Sequence, residues 1–178
     1  MAKVMISLVF VLSAIAGATP EGVAMQDIHT KLSASCFNEC WDYLDKPERT
    51  VEDTENMILL AYASLWHWTQ RSDCLPANLS VGYWQVSRVH AVAGHTEMAR
   101  HFAQRCLQIS REDSLPPFYL GYAYEALARA EILAGNPDGA RAHLADAETQ
   151  LGLVTDGEGR ALLTADLESL KALIHGGS

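Results

Sequence analysis

The chain has 178 residues, 49% of them hydrophobic, and carries a formal net charge of −9. That length and apolar content suffice for one domain with a true core, and the acidic balance argues against a surface that tracks nucleic-acid phosphates. Ala, Leu, Glu and Arg recur at helical spacing while alternating β-branched runs are scarce, so the expected class is all-α.

The first 24 residues admit two readings. Lys3, the apolar run 4–14 and Ala16-Gly17-Ala18 resemble a secretory signal cleaved after Ala18, and the run is too short to span a membrane. Alternatively, in a bacterial message Glu21-Gly22-Val23-Ala24-Met25 can be encoded as GAA GGA GUG GCG AUG, which places a ribosome-binding AAGGAG just ahead of a start at Met25. The expectation adopted is a start at Met25, a single helical domain over 25–178 and a cytoplasmic protein. Secretion or a periplasmic location is the alternative.

The first helix is expected over 26–44. Cys36 and Cys40 lie one helical turn apart with parallel Cβ directions, a poor geometry for a disulfide. They share a stripe with His29, the pattern of a metal or redox site. No CxxC or second ligand pair accompanies them, so they read as small core residues beside Phe37, Trp41 and Leu44. Thr50 and Asp53 have the spacing of a capping box that opens a second helix reaching about Arg71. Met57, Leu60, Ala61, Ser64, Leu65 and Trp68 fall on one face of it. Trp66 falls about 160° from Trp68, which predicts a helix packed from two sides.

From residue 79 to 151 a two-helix unit is written twice, at an offset of 41. The offset lays Tyr83 on Tyr124, Arg88 on Arg129, Gly94 on Gly135 and Ala99 on Ala140. The expected helices are 79–93 and 97–110, then 118–134 and 138–152, with a linker over 111–117. A last helix over 156–174 aligns Leu163, Leu167, Leu170 and Ile174. Asp166, Glu168 and Lys171 are expected to point away from that stripe, giving the polar outer side of a cap.

The two units, about 80–113 and 121–152, resemble tetratricopeptide repeats. Tyr83, Gly94, Ala99 and Cys106, and then Tyr124, Gly135, Ala140 and Ala147, occupy the family's aromatic, glycine and small-residue positions. Ser87 and Ala128 stand at the usual small position of the first helix, while Ala103 and Leu144 replace the aromatic of the second. The offset also exceeds the family's roughly 34 residues. Trp84 to Gly94 and Ala123 to Arg129 are in addition similar to a family of uncharacterised bacterial helical proteins with no known activity. The resemblance implies antiparallel hairpins stacked as a short right-handed solenoid of about seven helices.

Catalytic motifs are missing: there is no G-x-S-x-G, P-loop, H-E-x-x-H or G-x-G-x-x-G. His90, His95 and His101 flank one turn without a His or acidic i,i+4 pair, so a zinc site is not expected there and His90 and His95 read as residues that cap and solvate the turn. No cofactor is expected. In the repeat family the first helix of each unit lines a concave face, which implies that Trp84, Arg88, Tyr122, Glu125 and Arg129 lie there, with His67 and Trp68 at one end. Aromatic and Arg side chains together suit a binding surface, and two guanidiniums on equivalent rungs suit a carboxylate. The expected function is a non-catalytic module holding a peptide or protein segment, acidic in character, with neither nucleic acid nor a membrane span involved. Two alternatives remain: Glu125 and Arg129 as an ordinary i,i+4 pair in an internal network, and a small-molecule or enzymatic pocket of Trp, His, Arg and Glu side chains.

Overall fold

The computed structural model describes residues 20–176. The leader-like run and the expected cleavage point after Ala18 lie outside the described residues. Among those described there are seven helices and no strand: α1 Pro20–Leu44, α2 Val51–Thr69, α3 Pro76–Val92, α4 Thr96–Glu112, α5 Pro117–Leu133, α6 Pro137–Leu153 and α7 Gly157–Gly176. None of them is long and apolar enough to cross a membrane.

Short loops fold consecutive helices into the hairpins α1–α2, α3–α4 and α5–α6, with α7 packed on α5 and α6. The backbones of the odd-numbered helices approach in sequence, α1 to α3, α3 to α5 and α5 to α7, whereas those of α2, α4 and α6 stay apart, α2 and α4 meeting only through long side chains such as Tyr62 and Phe102, edge to face at 5.6 Å. A stack joined along one row and splayed along the other curves toward the joined row. The odd helices are therefore the inner layer of an all-α solenoid.

Sequence explains where the helices start and stop. Proline occupies the first turn of α3, α5 and α6, where the missing N–H costs nothing. The capping box at the start of α2 is present: Thr50 Oγ1 accepts from the Asp53 N–H at 3.1 Å and Asp53 accepts from the Thr50 N–H at 3.1 Å. Gly94 and Gly135 end α3 and α5 with φ of +80° and +69°, and the following residues, His95 and Asn136, donate backbone N–H bonds to His90 and Glu131, each at 2.9 Å. This is the Schellman closure, and it occurs at the same position in both units. Ser114 (φ +51°) closes α4 the same way, through a Leu115 to Ser110 bond of 2.9 Å, and the expected seven-residue linker contracts to 113–116.

One boundary and one side chain differ from expectation in a way that matters. α1 begins at Pro20, six residues before the expected Gln26, so the helix runs through Met25. Trp66 is 54% exposed rather than packed. α2 does meet both α1 and α3, but through Met57, Ala61, Ser64, Leu65 and Trp68, all buried.

Small residues set the distance between layers: Ala99 and Ala140, the equivalent alanines of α4 and α6, are both fully buried. Ala140→Leu should lower stability by about 1–3 kcal/mol through overpacking, read as a shifted urea midpoint at unchanged helicity. A neutral result would mean that α6 can move away from its neighbour without loss.

Candidate functional site

The inner faces of α3, α5 and α7 bring four charged side chains together. Glu125, fully buried, is the hub. Its Oε1 accepts from Arg88 Nη1 at 3.0 Å and from Arg129 Nε at 2.9 Å, with a further bond from Arg129 Nη2. Its Oε2 accepts from Trp84 Nε1 at 3.0 Å. Asp166 of α7 supplies the second carboxylate: Oδ1 lies 3.3 Å from Arg88 Nη2 and 4.0 Å from Arg129 Nη2, and Oδ2 accepts from the Tyr122 hydroxyl at 3.2 Å. Two guanidiniums thus face two carboxylates, and the cluster is neutral.

The two acids differ in character. Burial pushes the Glu125 carboxyl up, but the Arg129 and Arg88 charges, with N–H bonds from Arg129 and Trp84, outweigh it and the net shift is downward. At Asp166, burial and the adjacent Glu125 charge prevail over the two arginines, and its carboxyl is raised. Burial and the neighbouring carboxylates also raise the Tyr122 hydroxyl, so it donates throughout the physiological range.

Five of the expected site residues, Trp84, Arg88, Tyr122, Glu125 and Arg129, therefore do meet. They meet as a buried cluster rather than as an open arginine pair: Arg88 is 5% exposed and bonded to carboxylates of its own chain. Asp166 was expected to point away from the core face of the last helix; instead it completes the cluster. Position 166 sits three residues after Leu163 and one before Leu167, both buried, so its side chain points inward along the same arc.

His67 and Trp68 are not part of this cluster. Trp68 is buried with the Arg71 guanidinium stacked 3.9 Å from its ring centroid. His67 pairs with His29 of α1, Nδ1 to Nδ1 at 2.8 Å, and exposed Trp66 sets its ring edgewise against both imidazoles. A second histidine pair spans the end of α3: His90 Nδ1 lies 3.1 Å from His95 Nδ1, His90 Nε2 is 3.0 Å from the Tyr62 hydroxyl, and Phe102 stacks on the ring. His90 does not solvate the turn; it is 5% exposed. His101 stays exposed and sets its ring edgewise on Phe102. The equivalent rungs of the next unit carry Glu131 and Asn136, again hydrogen-bonded, at 2.8 Å. Among the described residues no three His, Cys, Asp or Glu side chains are gathered to hold a metal ion. Cys36, Cys40, Cys74 and Cys106 are all free thiols.

Burial first and then the His95 neighbour push His90 down to about 4. In the unfolded chain it titrates at about 6.5, so between those values the unfolded state binds more protons and folding weakens as pH falls. Stability should be complete above about pH 6.5 and decline toward about pH 4 by up to roughly 3 kcal/mol. Urea unfolding at both ends of that window should show the decline, and His90→Phe should flatten it. An unchanged slope in His90→Phe would assign the acid sensitivity to other groups.

Comparison with known proteins adds no identity: no family model, curated protein or solved structure matches the chain.

Proposed function

We propose that the protein is a non-catalytic helical-repeat binding module, similar in kind to tetratricopeptide repeats, that takes a peptide or protein segment along its inner layer. One observation carries this reading. The rings of Trp41, Trp84, Tyr122 and Phe118 follow one another across α1, α3 and α5, with centroids 5.9, 5.1 and 5.0 Å apart, and run directly into the arginine–carboxylate cluster. Aromatic and guanidinium groups on rigid helices are the side chains that concentrate binding energy.

An acidic partner in this layer would compete with Asp166 for Arg88 and Arg129. Asp166 is the carboxylate to displace, because its charged form is disfavoured whereas that of Glu125 is favoured. The test is an array of acidic, neutral and basic dodecapeptides probed with the full chain and with Asp166→Asn. Acidic peptides should be retained preferentially, and Asp166→Asn should strengthen their retention by about tenfold, the worth of one charge-assisted bond. Equal retention of acidic and basic peptides, or no response to Asp166→Asn, would overturn the inner-layer reading.

A further inference from the structure

Among the described residues three buried side-chain polar atoms have no hydrogen-bond partner: Trp41 Nε1, Gln85 Oε1 and His143 Nδ1. His143 stands alone on α6. The other two stand on the facing helices α1 and α3. Gln85 Nε2 donates to the Phe37 carbonyl at 3.0 Å, which is the carbonyl that the backbone N–H of residue 41 meets in an α-helix. The Gln85 carboxamide is thereby held beside the turn that carries Trp41, and the Trp41 ring lies 5.9 Å from Trp84, the residue before Gln85.

The two orphans are complementary, one a donor and the other an acceptor. Trp41 is 5% exposed and Gln85 is fully buried. A buried polar group without a partner costs about 1–3 kcal/mol, and an apolar residue of similar shape at either position would avoid that cost. Positions where a sequence breaks the satisfaction rule are those where function is expected. In the seam between these helices the backbones of α1 and α3 approach over a much shorter stretch than those of α3 and α5, so side chains fill it.

We propose that this seam is a subsite for an amide group, whose carbonyl accepts from Trp41 Nε1 and whose N–H donates to Gln85 Oε1, with the Trp84 ring as its wall. A backbone peptide unit and a primary carboxamide share that chemistry. An ester offers only the acceptor and a carboxylate brings a charge that nothing in the seam neutralises. The assignment rests on the inner-layer reading above and deepens it: Arg88 and Arg129 select charge at one end of the row, and Trp41 with Gln85 selects an amide at the other.

The test follows the indole N–H resonances of the full chain by two-dimensional NMR, with Trp41→Phe assigning the Trp41 signal. The probes are N-acetylalanine N′-methylamide as a backbone unit, acetamide as a primary carboxamide and methyl acetate as an acceptor without an N–H. The Trp41 signal should move downfield and saturate in the millimolar range usual for so small a ligand. Gln85→Met should weaken that response about fivefold, the worth of one hydrogen bond. Saturation by the dipeptide assigns a backbone unit, and saturation by acetamide alone assigns a carboxamide side chain. An unmoved Trp41 signal, methyl acetate acting as well as the amides, or an unchanged response in Gln85→Met each overturns the subsite. If Gln85→Met does not fold, the Trp84 indole of Trp41→Phe is followed instead, and a response to the dipeptide equal to that of the parent overturns it. The array and these titrations fail independently: acidic selection that responds to Asp166→Asn can survive loss of the amide subsite.

Discussion

Glu125→Ala should destabilise the protein by about 3–5 kcal/mol, a large share of the stability of a domain this size. Its carboxylate takes hydrogen bonds from Arg88, Arg129 and Trp84, and no solvent reaches it to compensate. Without it, the guanidinium of Arg88, 5% exposed, shares the single remaining carboxylate, Asp166, with Arg129, and the indole N–H of Trp84 loses its acceptor. Glu125→Gln should cost less, because one acceptor oxygen survives, but the cluster would still carry an excess positive charge. Urea unfolding of both variants checks this. If Glu125→Ala costs under about 1 kcal/mol, water or a shifted Asp166 already satisfies the arginines, and the cluster is not the junction of α3, α5 and α7. The same experiment separates stability from specificity, since replacing a whole buried ionic set by apolar residues is often neutral while removing one member is not.

Much of the fold was legible because several helix ends have a local chemical cause. The Thr50–Asp53 box and the paired glycines at 94 and 135 act within a few residues of themselves, and a sequence displays such signals openly; Pro76, which opens α3 three residues before the expected start at 79, was read as part of the loop. The offset of 41 was legible for the same reason. It even contained the hub of the site: Trp84 and Glu125 are separated by 41 residues, so the repeat places the donor of one unit opposite the acceptor of the next. What stayed hidden is tertiary. Asp166 lies on the arc of Leu163, Leu167 and Leu170, so its inward direction was readable from spacing; what spacing does not give is that α7 docks where Arg88 and Tyr122 reach it. The pairing of His29 with His67 depends on the register between α1 and α2, which no spacing within either helix specifies. Trp66 misled because a large apolar residue opposite the buried arc has two outcomes, a second packed layer or an exposed ring, and periodicity is identical for both. Gln85 and Trp41 carried no signal at all, since a buried unpaired atom is defined by what surrounds it.

Leu163→Ala should cost about 2–5 kcal/mol, the range for opening a cavity at a fully buried leucine. The reason for choosing this leucine lies on the facing helix. Position 121 of α5 is a glycine, and a Cβ built there would stand 2.5 Å from Leu163 Cδ2. The missing side chain of Gly121 is therefore the slot that Leu163 fills, and this contact fixes how closely α7 approaches α5. That approach in turn sets the reach of Asp166, one turn further along α7, to Tyr122 and Arg88. Gly121→Ala alone should overpack the slot by about 1–3 kcal/mol. In the double variant the alanine methyl occupies space that Leu163 has vacated, so the two costs should not add. The coupling expected for residues in direct contact is about 0.5–3 kcal/mol, here in the stabilising direction. Measured unfolding energies for the four proteins of this cycle give the answer directly. Simple additivity would show that Gly121 and Leu163 do not touch, and α7 would then have to be held against α5 by Leu167, Leu170 and the Asp166 bonds alone.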